Sequence, residues 1–203
     1  MPKNISLRAL TLVALLLIFL VSGITGGAGF EPDAETIRDF QHMRIQSPQL
    51  TIALVRLTHL GSVYFTLGGG LLAAAWLALS GERRRGAILA VAVIVERLTV
   101  DGLKLLLDRA RPAFDAHPVA THSSSFPSGH SGNSMGVFLA IALIAAPERW
   151  RREAAVLAVM LSVAIGLTRP YLGVHWPTDV LGGWSLGAIV AILAATWANR
   201  QPT

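Results

Sequence analysis

The sequence predicts an all-α protein, a polytopic membrane bundle of about six transmembrane helices. First, 53% of its 203 residues are hydrophobic and only 14% are charged, whereas a soluble domain of this size carries about a quarter charged residues. Second, six apolar stretches recur along the chain, and several approach the ~20 residues a helix needs to cross the hydrocarbon core. Third, these runs are too long and too unalternating for barrel strands, and only helices or closed barrels satisfy their backbone within lipid.

The first stretch, 9–24, follows a basic start containing Lys3 and Arg8. A cleavable signal peptide has the same layout, but 22–28 lacks a clean small-x-small cleavage site, so a retained span is expected. Pro32-Asp33-Ala34-Glu35 reads as a helix start, with acidic residues at the positive end of the dipole. Ile37, Phe40 and Met43 then recur at helical spacing among Arg38, Asp39 and Arg44. That pattern fits an amphipathic helix at the outer interface or one packed against its own bundle.

The second and third stretches are 61–79 and 87–107. Gly68-Gly69-Gly70 suits close helix packing rather than a phosphate loop, since no Lys-Ser/Thr follows. Glu96 and Arg97 read as structural ion-pair residues, with each other or with another helix. The fourth, fifth and sixth stretches are 129–146, 154–168 and 180–198. The fifth is short for a span and must recruit flanking residues or sit where the bilayer thins. No linker, repeat or charge block divides the chain, so residues 1–203 are expected to form one domain.

A net charge of +5 raises the question of nucleic acid, and its distribution argues against that partner. Lys3 and Arg8, then Arg83-Arg84-Arg85, then Arg149, Arg151 and Arg152, then Arg200 occupy alternate short segments. Cytoplasmic loops carry such an excess of basic residues. Both termini are therefore expected in the cytoplasm, with 25–60, 108–128 and 169–179 on the other side. The absence of cysteine removes disulfides and thiolate chemistry.

Three polar clusters lie in or beside those outer segments, and charged groups among apolar spans point to function. Lys104 and Arg111 are seven apart and share a face if their helix continues to Pro112, which would end it. Asp101 and Asp108 offer an alternative, as structural partners that neutralise Lys104. Pro127-Ser128-Gly129-His130 stands where the outer chain enters the fourth span. There Ser128 can cap the helix, Gly129 lets an anion approach the amides, and His130 can pass a proton. An ordinary capped helix explains the tetrapeptide equally well. Finally, Arg169, His175 and Asp179 sit between the fifth and sixth spans, with Asp179 four beyond His175. A carboxylate on one ring nitrogen leaves the other nucleophilic. Trp176 and Pro177 read as packing and turn residues. Zinc on His117, His122, His130 and His175 is the weaker reading, because no His-Glu-x-x-His pattern or acidic cluster accompanies them. The inventory suits holding a phosphate and passing it to a histidine.

Lys104-x6-Arg111-Pro112, Pro127-Ser128-Gly129-His130 and Thr168-Arg169-x5-His175-x3-Asp179 together resemble the type 2 phosphatidic acid phosphatase (PAP2) superfamily of the bacterial integral-membrane kind. That superfamily shares its site with vanadium haloperoxidases. The motifs span 104–179, in the expected order and on one side of the membrane. Thr168 departs from the usual serine, which puts that position's part in phosphate binding in doubt. The resemblance implies a PAP2-like core and a plasma-membrane lipid phosphate phosphatase with its site on the outer face. His175 would be the nucleophile, Asp179 its orienting carboxylate and His130 the general acid. Lys104, Arg111, Arg169, Ser128 and Gly129 would hold the phosphate, with no metal or other cofactor. Expected substrates are phosphatidic acid, phosphatidylglycerophosphate, undecaprenyl diphosphate or a phosphorylated lipid A. A phosphotransferase using the same site, or a transporter that only binds lipid phosphate, are the alternatives; a transporter would more naturally show internal repeats.

Overall fold

The computed structural model describes residues 6–114, 117–121 and 123–200; Lys3 and His122 lie outside them. Eight α-helices follow in order: α1 Leu7–Thr25, α2 Glu31–Gln46, α3 Pro48–Thr58, α4 Val63–Leu79, α5 Arg83–Leu107, α6 Gly129–Ile144, α7 Arg151–Tyr171 and α8 Pro177–Ala198. No strand occurs among the described residues. Leu7–Thr25, Glu148–Tyr171 and Pro177–Ala198 are long and apolar enough to cross a membrane. The pair Pro48–Gly61 and Val63–Leu79, bent by 42°, raises the number to four if it counts as one span. The chain is thus an all-helical integral membrane protein.

Several elements differ from the sequence expectation, each for a local reason. The segment 25–60 holds two helices, α2 and α3. Helix α2 starts with Glu31 and Pro32, as the acidic N-terminus predicts. It packs against the bundle, burying Ala34 and Ile37 with Trp176 and placing Phe40 beside Tyr171. The short fifth stretch recruits both flanks, so Arg169 joins Thr168 in the last turn of α7 rather than lying in a loop. The Arg83-Arg84-Arg85 triplet opens α5. Arg84 donates to the carbonyls of Trp197 at 2.7 Å and Ala198 at 2.9 Å, and Arg85 to that of Ile144. These cations satisfy the otherwise unpaired carbonyl ends of α8 and α6.

Helix α5 does not reach Arg111. It stops at Leu107 because Asp108 takes a left-handed conformation, φ 36°, with its amide bonded to the Lys104 carbonyl at 3.1 Å. Aspartate is one of the few residues that tolerate this cap geometry. Nor do Glu96 and Arg97 pair. Neighbours in a helix point in different directions. Arg97 therefore meets Asp101 one turn on at 2.6 Å, while Glu96 turns inward, 1% exposed, against Gly132 and Gly136.

Helix α6 is central, flanked by α4, α5, α7 and α8. Its contact with α8 is made backbone to backbone through two glycine pairs at four-residue spacing, Gly132 and Gly136 facing Gly183 and Gly187. A Cβ on Gly187 would lie 2.4 Å from the Gly132 carbonyl oxygen, and one on Gly183 would lie 2.6 Å from the Ser128 oxygen. Small residues at this spacing allow close crossing in lipid, where packing rather than water drives association. Of the triplet in α4 only Gly70 is tightly packed, against Val93 and Val137; Gly68 and Gly69 face open space.

Gly187→Val should therefore separate α6 from α8 and cost about 1–3 kcal/mol or more, the usual scale of overpacking. Its thermal midpoint in detergent should drop clearly below that of the parent, whereas Gly68→Ala should leave it unchanged or slightly raised.

Candidate active site

The close α6–α8 crossing brings two helix N-termini side by side. Ser128 occupies the N-cap position of α6, and its amide donates to the Asp179 carbonyl in the first turn of α8 at 2.9 Å. The Ser128 side chain makes no capping bond; its Oγ accepts from Ser131 Oγ at 3.0 Å. Gly129 lies against Lys104, whose Cε would be 3.8 Å from a Cβ at that position. The first-turn amides of α6 thus point into a polar cluster beside a cation, an arrangement suited to an anion.

The cations converge despite the break in α5. Lys104, 7% exposed, donates from Nζ to the carbonyls of Ser124 at 2.6 Å and Ser125 at 3.3 Å. Neither Asp101 nor Asp108 bonds to it, because the first is taken by Arg97 and the second caps the helix. Arg111 shares the Ser124 carbonyl at 3.4 Å and reaches Ser123 and Val174 as well. Arg169, 3% exposed, donates to Thr58 Oγ1 at 2.7 Å, so α3 helps to position it. Thr168 points away: its hydroxyl bonds to the Ile165 carbonyl at 2.6 Å within α7.

His175 lies in the loop before α8, between the fifth and sixth spans as expected. Asp179, in the first turn, accepts from the Trp176 amide at 2.8 Å and brings Oδ2 to 3.4 Å from His175 Nδ1. Ser125 Oγ bridges the pair, 3.3 Å from Nδ1 and donating to Oδ2. On the other side of the ring, Arg111 Nη1 is 3.1 Å from Nε2. A guanidinium can only donate, so Nε2 must carry the lone pair and Nδ1 the hydrogen. The tautomer is the one that leaves Nε2 nucleophilic.

Burial, then the positive charges of Arg111, Lys104, Arg169 and His130, hold the His175 imidazole well below its usual 6.5. Burial also lowers the Arg111 guanidinium, and Asp179 partly offsets this. His130, in the first turn of α6, faces the same three cations. The eight residues selected from sequence thus gather at one end of the bundle. Ser125, Arg109, Thr178 and Asp33 are additions. Arg109 Nη1 meets Asp179 Oδ1 at 2.8 Å, and Thr178 Oγ1 donates to Asp33 Oδ2 at 2.6 Å. A serine run beside the second motif and a second arginine two before Arg111 were the available signals. His117 instead bonds the Pro112 carbonyl at 2.8 Å, and no three His, Cys, Asp or Glu side chains gather as metal ligands among the described residues.

A family model for the PAP2 superfamily matches residues 85–202, more than half the chain and all eight residues selected from sequence. The chain belongs to the PAP2 superfamily. Phosphatidylglycerophosphatase B of Bacillus subtilis (strain 168) is 31% identical over 186 residues, covering 89% of this chain and 91% of that protein. Lipid A 1-phosphatase of Rhizobium johnstonii is 35% identical over 119 residues, 54% of this chain and 46% of that one. The crystal structure of a transmembrane PAP2-type phosphatidylglycerolphosphate phosphatase from Bacillus subtilis superposes with a TM-score of 0.83 at 31% identity, covering 92% of this chain and 95% of the other. The PAP2 likeness therefore covers most of the chain, including the loops that carry this cluster.

A histidine whose value is depressed loses its neutral form only as pH falls through that lowered value. Ring nitrogen NMR shifts of His175 should therefore stay those of the neutral Nδ1–H tautomer from neutral pH down past 6.5. Protonation at or above 6.5 would contradict the electrostatic account.

Proposed function

We propose that this chain is a membrane lipid phosphate phosphatase that works through a phosphohistidine. The observation that carries the reading is His175, bonded through Nδ1 to the Asp179–Ser125 pair and presenting Nε2 among three fixed cations. Nε2 attacks phosphorus, the N–P bond forms and the bond to the lipid oxygen breaks. His130 gives its proton to that departing oxygen. The neutral His130 then takes a proton from water as the water oxygen attacks phosphorus, releasing inorganic phosphate and free His175. Lys104, Arg111 and Arg169, with the Ser128 hydroxyl and the Gly129 amide, hold the equatorial oxygens, where charge in phosphoryl transfer resides. They take the electrostatic part a divalent ion plays elsewhere, so the reaction needs none.

In this reading the chain crosses the membrane six times, with α3 and α4 counted together, the site lies at the outer face and both termini lie in the cytoplasm. Supporting this, Arg84 and Arg85 close the ends of α8 and α6 opposite the catalytic loops, while α2 packs beside those loops. The relative matched over most of its length acts, by name, on phosphatidylglycerophosphate. That lipid heads the substrates proposed here, ahead of phosphatidic acid, undecaprenyl diphosphate and phosphorylated lipid A.

Purified protein should release phosphate from phosphatidylglycerophosphate in excess EDTA, and His175→Ala should abolish both release and acid-quenched phosphohistidine while vanadate still binds weakly. Residual phosphatase activity in that variant would remove the nucleophile assignment, and activity restored only by added metal would remove the metal-free reading. Transfer of phosphate to an added alcohol in place of water would mark a phosphotransferase.

Loss of the acid should matter most where the leaving oxygen most needs a proton. General acid catalysis contributes about 10²–10⁴, so His130→Ala should slow phosphohistidine formation by that scale from the lipid alkoxide and far less from nitrophenyl phosphate. Equal losses with both leaving groups would leave His130 a binding residue only.

A further inference from the structure

Arg109 lies two residues before the phosphate-facing Arg111 and points the other way. Its Nη1 donates to Asp179 Oδ1 at 2.8 Å and to Thr178 Oγ1 at 3.2 Å; its Nη2 donates to the carbonyls of Ser22 at 2.8 Å and Gly23 at 2.7 Å. The guanidinium carbon sits 4.4 Å above the Phe126 ring, and the Arg109 carbonyl accepts from the Ser125 amide at 2.7 Å. Ser22 and Gly23 belong to the last turn of α1, at the negative end of its dipole, and the Ser22 carbonyl also accepts from the Gly26 amide at 3.4 Å. The end of α1 is pressed onto this cation: a Cβ on Gly26 would lie 1.8 Å from Thr178 Oγ1 and 2.7 Å from Arg109 Nη1.

We propose that Arg109 is a positioning residue for phosphoryl transfer, held on Asp179 by the C-terminal carbonyls of α1, so that α1 completes the active site. The inference rests on the assignment of His175 and Asp179 made above. The two oxygens of Asp179 divide their work. Oδ1 is tied to Arg109, which leaves Oδ2 for Ser125, the Trp176 amide and His175. Asp179 is 0% exposed, and a carboxylate so buried requires a paired counter-charge. Around it stand Arg109 and Arg111 on the loop after α5, Lys104 on α5, His175 before α8 and, through Thr178, Asp33 on α2. Only Arg109 bonds Asp179 as a fixed cation among the described residues. The other cations face the phosphate side, where their charge opposes that of the substrate. Arg109 thus keeps Asp179 ionised and its carboxylate plane aimed while the histidine becomes a cation on forming the N–P bond.

The test uses the full chain in detergent with a short-chain diacylglycerol phosphate at saturation, reading quenched phosphohistidine formation against pH. Arg109→Gln should slow this step about 10–100-fold, the scale seen when a group that orients a metal ligand is lost, with KM nearly unchanged. Removing a positive charge raises both the carboxylate and the imidazole, so the acid limb should move up by about one pH unit. Arg109→Lys should restore part of the rate and return the limb towards the parent. Gly26→Ala, which removes no charged group but displaces Thr178 and Arg109, should slow the step and shift the limb in the same direction. The proposal is overturned by a parental rate in Arg109→Gln, by a slower rate with an unmoved limb, by an effect on KM alone, or by Arg109→Lys no better than Arg109→Gln. Should Arg109→Gln fail to fold in a thermal unfolding assay, Gly26→Ala carries the decision: a shifted limb supports the proposal and a parental one overturns it. His175→Ala is run alongside. If it is inactive and Arg109→Gln is parental, only the Arg109 inference falls; if it is active, the nucleophile assignment falls and takes this one with it.

Discussion

The constraint on which the rest depends is the approach of α6 to α8. Two helices can meet at backbone distance only where side chains are missing, and Gly132, Gly136, Gly183 and Gly187 supply that gap. Their meeting sets the two N-termini side by side, close enough for the Ser128 amide to bond the Asp179 carbonyl. One helix then contributes amides and His130, the other Asp179 with His175 just ahead of it. Because both groups sit at helix starts, a small change in crossing would shift them together rather than blur either one. The precision needed for phosphoryl transfer, where misplacement of about 1 Å can cost 10²-fold, is thus carried by backbone contact rather than by loop conformation.

A second constraint is charge. The site gathers more fixed cations than carboxylates, in surroundings where burying either is costly. Carbonyl oxygens resolve the difficulty. Ser123, Ser124, Ser125 and Val174 receive Lys104 and Arg111, Thr58 Oγ1 receives Arg169, and the end of α1 receives Arg109. Neutral acceptors hold Lys104, Arg111 and Arg169 in place without cancelling them, so the positive field remains for an anion, while Arg109 alone is spent on Asp179. Direct pairing of Lys104 with Asp101 or Asp108 would have satisfied the charge and removed the field.

Much of this was legible in the sequence. Nearly all residues of the six apolar stretches lie in helices, Ser62, Ala145 and Ala146 being the exceptions, and the three motifs named eight residues that do converge. What was not legible depended on partners. Periodicity tells which face a residue occupies but not what meets it, so Glu96 was assigned to its neighbour Arg97 and the glycine pairs of α6 and α8 passed unremarked. The end of α5 was placed at Pro112, the strongest breaker, although Asp108 had already closed the helix with a left-handed turn. Arg109 and Ser125 carry ordinary side chains in unremarkable company. Their roles come from contacts made some 50 to 90 residues away in the chain, which the serine run and the second arginine hint at but do not specify.

The bond from Arg111 to Nε2 of His175 has a further consequence. One guanidinium N–H covers the very lone pair that the proposed chemistry uses. A phosphate seated among the cations offers Arg111 a charged acceptor in place of a neutral nitrogen, and charge-assisted bonds of that kind are the stronger ones. Docking and unmasking are then a single event. An uncharged electrophile of the same shape can offer no such exchange, and it finds the histidine already engaged. Discrimination thus begins before affinity does, in whether the visitor can persuade one hydrogen bond to change sides.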